Sequence, residues 1–122
     1  MNNTTSFSIA TLSALISVYA LYFIGVLLGA EFYAPALEQD IPIFAYAALT
    51  VFSAIGAFLV GKGLKKTKNP ARNVWIVVII VFAFFVIPIP SITDPIAAAL
   101  LLAIHFAVAI PLTLAMQRLV SN

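Results

Sequence analysis

The chain contains no cysteine, which removes disulfides, thiolate metal sites and thiol nucleophiles from consideration. It has one histidine, so no pair of imidazoles within one chain can hold a metal ion. Charge is scarce too: Asp, Glu, Lys and Arg make up 8% of the residues, against about 25% in soluble domains. A water-facing surface needs more than that. The serines, carboxylates and lone histidine form no recognisable catalytic spacing, so no enzymatic activity is expected. The Gly61-Lys62-Gly63 triplet lacks the Walker spacing and preceding strand of a phosphate-binding loop.

What the chain has instead is length of apolar sequence. Hydrophobic residues make up 64% of it, and a helix crossing a hydrocarbon core of about 30 Å needs about 20 of them in succession. Four stretches meet that demand: residues 7–29, 41–60, 71–89 and 95–116. The sequence therefore predicts an all-α membrane protein, a bundle of four transmembrane helices forming one domain over residues 1–122. No segment is left over for a soluble domain. MNNTTSFS lacks the positive start of a signal peptide, so cleavage near Ala34-Pro35-Ala36 is not expected.

The charges are sorted by sign. Glu31, Glu38, Asp40 and Asp94 lie in the first and third connections, whereas Lys62, Lys65, Lys66, Lys68, Arg72 and Arg118 lie in the second or after the fourth span. Basic residues in short loops are retained in the cytoplasm, which predicts both termini inside and a multi-pass protein of the cell membrane. Trp75 suits the inner aromatic belt, and Phe32 and Tyr33 the outer one. The loop cations Lys62, Lys65, Lys66, Lys68 and Arg72 chiefly set this orientation; their second reading is contact with anionic lipid headgroups. No nucleic-acid partner is expected.

Local signals mark the helix ends. Asn69 is a candidate cap for the third helix, with Pro70 at its first position. Pro88 and Pro90 stop that helix. Thr93 or Asp94 caps the fourth, opened by Pro95, and Asp94 suits the positive end of its dipole. Gly25 and Gly29 form a G-x-x-x-G step in the first helix, with Ser13 and Ser17 below it. Such ridges let backbones approach closely. The expected use is packing within the chain, against the face of the second helix carrying Ala45, Ala48 and Ala57, with dimerisation as the alternative.

The polar residues within the spans are the remaining candidates. His105 sits mid-way along the fourth, where an ionisable group is by default a functional hypothesis. Ala98 and Ala109 on its face leave room for a neighbour. At similar depth stand Tyr19 and Ser17 in the first helix and Thr50 and Ser53 in the second, and Tyr19 is the expected hydrogen-bond partner. With no carboxylate or second histidine in the core, a proton relay through His105 alone is disfavoured. The ring remains a candidate ligand for a haem or other tetrapyrrole, although no cofactor is expected. Pro111 withdraws an N–H from the carbonyl of Ala107 and bends or adjusts the helix.

The run NPARNVW, the proline-terminated third span and ALLLAIHFAVAIPLTLAMQRL together resemble an uncharacterised family of small four-helix bacterial integral membrane proteins, over roughly residues 69–119. In that family an arginine-rich turn precedes a tryptophan-bearing third helix, and the fourth carries a histidine and a terminal basic residue. The resemblance maps His105 onto the recurrent histidine and implies no activity. Other small four-helix families fit poorly. Small multidrug transporters place a glutamate inside the first helix, where Glu31 lies at its edge. They and the fluoride channels often pair antiparallel, which a strong charge bias opposes. Reductases of the vitamin K type require cysteines.

The expected function is an accessory or scaffold subunit of a membrane complex or homo-oligomer. The alternatives are a small transporter or channel subunit forming its pathway by oligomerisation, and a cofactor-carrying subunit with His105 as ligand.

Overall fold

A computed structural model describes residues 2–30, 33–34, 39–87 and 94–121, with the backbone alone for 33–34 and 39–40. It is all-helical apart from one small ribbon. Helix α1 spans Asn3–Leu27, α2 Ile43–Leu64, α3 Pro70–Val86 and α4 Pro95–Ser121. Between α1 and α2, β1 (Tyr33–Ala34) pairs antiparallel with β2 (Gln39–Asp40), Tyr33 opposite Asp40. Helices α1, α2 and α4 are long and apolar enough to cross a membrane. Helix α3 has 17 residues, about 25 Å at 1.5 Å per residue.

The helices run further at the basic end than the apolar stretches do. α1 begins at Asn3, where Asn2 Oδ1 accepts from the N–H of Thr5 at 2.7 Å, a capping bond a hydropathy count does not register. α2 continues through Lys62 to Leu64, and α4 five residues beyond Met116 to Ser121. At the opposite end α1 stops early. Gly29 takes φ +80° outside the helix, the N–H of Ala30 bonds to Gly25 O at 2.8 Å, and that of Gly29 to Val26 O at 3.1 Å. This is a Schellman closure, which glycine favours because it carries no Cβ to clash in the left-handed region.

Two caps on the later helices differ. Asp94 Oδ1 accepts from the N–H of Ile96 at 2.9 Å and more weakly from that of Ala97 at 3.4 Å, as the sequence predicts. Asn69 occupies the cap of α3, but with φ 53° and no side-chain cap bond. Its left-handed backbone makes the turn instead, and Pro70 opens the helix. The expected stop at Pro88 and Pro90, and the candidate cap Thr93, lie outside the described residues, as does the candidate belt residue Phe32.

Each long helix buries a stripe, which on α4 widens toward the basic end to take in Thr113, Met116 and Val120. On α1 it is Phe7, Ala10, Ala14 and Val18; on α2, Tyr46, Thr50, Ala54 and Gly61; on α4, Ala97, Leu101, Ile104, Leu112, Ala115 and Leu119. The steps of three, four, seven and eight keep each series on one side of its helix. Small residues dominate because lipid is as apolar as leucine, so helix association rests on close backbone packing rather than on escape from water. Gly61 is one close approach: a Cβ there would stand 3.4 Å from Leu119 Cδ1.

Helix α4 is the hub. It packs against all three other helices, most heavily on α1, while α3 touches α2 only lightly. Two apolar clusters result. One joins Phe7, Ala54, Val74, Leu112, Met116 and Leu119 at the basic end; the other joins Val18, Tyr46, Ala97, Leu101 and Ile104 nearer the acidic end. Outside them the surface is greasy: Leu27 is 87% exposed, Phe84 71%, and Phe44 and Phe52 70% each. A continuous apolar exterior of this kind is stable in lipid and not in water.

Candidate functional site

His105 faces α3, not α1. It follows Ile104 of the buried α4 stripe by one residue, a rotation of about 100°, which carries the ring to the flank where Phe82 and Phe85 lie with centroids 6.4 and 6.2 Å away. Its Nδ1 sits 2.6 Å from Leu101 O, four residues back on the same helix. A carbonyl only accepts, so Nδ1 is the donor in this contact and Nε2 is turned away from it.

Tyr19 is engaged elsewhere. Its hydroxyl donates to Ile43 O at 2.7 Å and accepts the N–H of Ala47 at 3.2 Å. Ile43 and Ala47 are successive members of one helical hydrogen-bond ladder, so the phenol sits beside the first turn of α2 and ties α1 to it. The predicted Tyr19–His105 contact is therefore replaced by two separate ones: depth along the helix matches, but the residues leave their helices in different directions. Tyr19 also stacks edge-on against Tyr46, with centroids 6.3 Å apart, and Tyr22 lies 5.1 Å from the same ring.

The other mid-span candidates do not converge. Thr50 is buried, but its Oγ1 donates to Tyr46 O at 2.7 Å within its own helix. Ser53 is half-buried, and Ser17 is exposed on the outer face of α1. Depth from the span ends places these residues at one level but leaves their rotation about the axis undetermined. Of the expected packing pair, Gly25 is buried in the last turns of α1, and Gly29 is exposed beyond the helix end. The G-x-x-x-G step thus acts as a C-terminal closure, because Gly29 leaves the helical ladder.

The basic connection is shorter than its sequence suggests. Lys62 belongs to the last turn of α2, its Nζ 4.7 Å from the centroid of Phe58, a cation–π distance. Arg72 belongs to α3, leaving residues 65–69 as the turn. Asn73 knots it, Nδ2 donating to Thr67 Oγ1 at 2.8 Å and Lys68 O at 2.9 Å. Lys65, Lys66, Lys68 and Arg72 all stay exposed.

A feature the sequence reading passed over lies at the same end. Where α1 and α4 cross, Ala10 and Ala115 floor an open groove of about 530 Å³, walled by Ile9 and Leu114. Ser6, Ser13 and Arg118 add polar groups to its lining. Ser6 is 7% exposed, and among the described residues neither its hydroxyl nor that of Ser13 makes a hydrogen bond. The legible signal is the small-residue stripe Ser6, Ala10 and Ser13 on α1, of which Ser13 alone, with Ser17, enters the packing expectation. Gln117, beside the groove, turns to α3 and donates to Ala71 O at 3.0 Å.

Among the described residues no group of three or more His, Cys, Asp or Glu side chains is placed to hold a metal ion. A family model described as a family of unknown function (DUF6069) matches residues 3–122. No curated protein and no solved structure matches.

Proposed function

We propose that this chain, which belongs to the DUF6069 family of unknown function, is a multi-pass protein of the cell membrane that serves as a non-enzymatic packing subunit of a membrane complex or homo-oligomer. Both termini lie in the cytoplasm in this reading, since the six cations and four carboxylates fall on opposite sides of the spans and basic residues are retained inside.

The observation that carries the subunit role is the one-sided attachment of α3. Only Val74 of that helix is buried, so Ile76, Ile79, Ile80 and Phe84 stand outward from the rest of the chain. A helix held along one edge presents a broad face to other membrane helices. The polar groups meanwhile are spread over different faces or turned to their own backbone, as Thr50 and His105 are, which disfavours a pathway through a single copy.

The test is extraction from native membranes in mild detergent, with photoreactive side chains at Ile79 and Phe84 in otherwise unaltered chains. Cross-linking to a second copy or to a defined membrane partner supports the subunit role. A monomer that cross-links only to lipid from both positions removes it.

A second reading draws on Ser13 and Ser17, both exposed on α1: a pathway assembled between copies is lined by these hydroxyls. Liposome flux that falls in Ser13→Val and Ser17→Val supports it, and the absence of flux from wild-type protein ends it.

A further inference from the structure

We propose that the groove between the first half of α1 and the last third of α4 is a binding site for an anionic phospholipid, its phosphate at Arg118, its glycerol region beside Ser6 and an acyl chain running inward past Ile9 and Leu114. The site is distinct from the basic turn between α2 and α3, and the proposal requires only that the chain sits in a bilayer, whatever complex it joins.

Three observations meet in this groove. It is open along its side and about 530 Å³ in volume, within the range of small-ligand sites. Its two hydroxyls are unpaired among the described residues, and Ser6 is more than nine-tenths buried. Ser6 directly precedes the apolar stretch 7–29 and lies level with Arg118, at the height of lipid headgroups. Lipid ester and glycerol oxygens supply acceptors at that depth, which acyl chains alone do not.

The third observation is the order of groups along the groove. α1 and α4 run antiparallel, so Ser6 lies level with Arg118, and Ser13 with Pro111 and Leu114. From the helix ends inward the lining therefore passes from Arg118 and Ser6, side by side, to the apolar walls of Ile9 and Leu114, with Ser13 at the inner end. A phospholipid has the same sequence of phosphate, glycerol ester and acyl chain. Charge favours the anionic kind: all six basic residues cluster at this end of the spans, and all four acidic residues at the other. A guanidinium also matches phosphate oxygens in a two-pronged geometry.

The test reconstitutes the full chain in vesicles of phosphatidylcholine doped with phosphatidylglycerol that carries a photoreactive group near the glycerol. Peptide mapping reads where it attaches, and the same label on phosphatidylcholine serves as comparison. Wild-type protein is expected to be labelled on α1 and α4 beside the groove, more strongly by the glycerol lipid. Arg118→Gln should lower that labelling about fivefold, the effect of one basic residue at an anionic surface. Ser6→Leu, which fills the groove, should abolish it, whereas the triple exchange of Lys65, Lys66 and Lys68 to Gln should leave it unchanged. Arg118 is exposed and outside both apolar clusters, so its exchange keeps the test open even if Ser6→Leu misfolds. Equal labelling by both lipids, or labelling that survives Arg118→Gln while falling in the lysine variant, overturns the proposal.

Discussion

Replacing Gly61 tests the packing of α2 on α4 with a change of sign. Gly61 is buried within α2, and a Cβ there would meet Leu119 Cδ1 at 3.4 Å, Leu119 Cδ2 at 3.7 Å and Met116 Cγ at 3.8 Å. All three are ordinary contact distances. Gly61→Ala therefore gains helix propensity of up to about 1 kcal/mol, plus about 0.1–0.2 kcal/mol for each new contact. The variant should be stabilised by about 1 kcal/mol. Gly61→Leu has nowhere to put its branched end, because Leu119 is 1% exposed and fills the space; overpacking of this kind costs about 1–3 kcal/mol. Gly56, in the same helix with nothing within 4 Å, is the control: Gly56→Ala should gain the propensity term alone. Helical ellipticity followed through a denaturing-detergent titration of the full chain in mild micelles gives the three values. A Gly61→Ala protein less stable than wild type, or a Gly61→Leu protein equal to it, would refute the assigned contact between α2 and α4.

Three further substitutions probe the polar contacts. Tyr19→Phe removes the hydroxyl beside the first turn of α2; it should lower stability in the same titration by about 0.6 kcal/mol, and by no more than about 1.7, the range for hydrogen bonds between membrane helices. A larger loss would mean that the phenol does more than tie α1 to α2. Asp94→Ala removes the cap of α4 and should cost about 1 kcal/mol, while Asp94→Asn should recover most of it; equal losses in both would exclude capping. His105→Phe keeps an aromatic ring against Phe82 and Phe85 and loses only a bond within its own helix, so a change below about 1 kcal/mol is expected. Destabilisation well beyond that would reveal a partner at Nε2.

Membrane character was legible because it depends on composition and run length, which need no tertiary contact. The uneven charge was legible for the same reason. Helix ends were read where residue type signals them, at Asp94 and at Asn69-Pro70, although Asn69 makes no side-chain cap bond; they were missed at Asn2, whose cap precedes the apolar run, and at Gly29, where backbone geometry closes the helix. The pairing of Tyr19 with His105 failed for a different cause. Counting residues from a span end gives height, and height matched, but rotation about the axis depends on which neighbour each helix meets. In a chain apolar on nearly every face, periodicity barely distinguishes the packed side from the lipid side. The one usable clue was residue size: alanine and glycine at 10, 14, 54, 61, 97 and 115 trace the contacts. The same small residues, at 10 and 115, open the groove at Ser6 and Arg118.

The knotted turn between α2 and α3 bears on how the orientation of this chain can be measured. Its lysines are exposed and would ordinarily invite trypsin, yet a protease must draw several residues into an extended strand. Here the N–H groups of Lys65, Lys66 and Thr67 are bonded back to Gly61, Gly63 and Leu64, and Asn73 clasps the far side. Digestion should therefore be slow from either compartment, and survival of the chain in sealed vesicles would be misread as shelter behind the bilayer. A single cysteine at Lys66, labelled with an impermeant maleimide, needs no such unfolding. Because the native chain has no thiol of its own, the signal would come from that position alone.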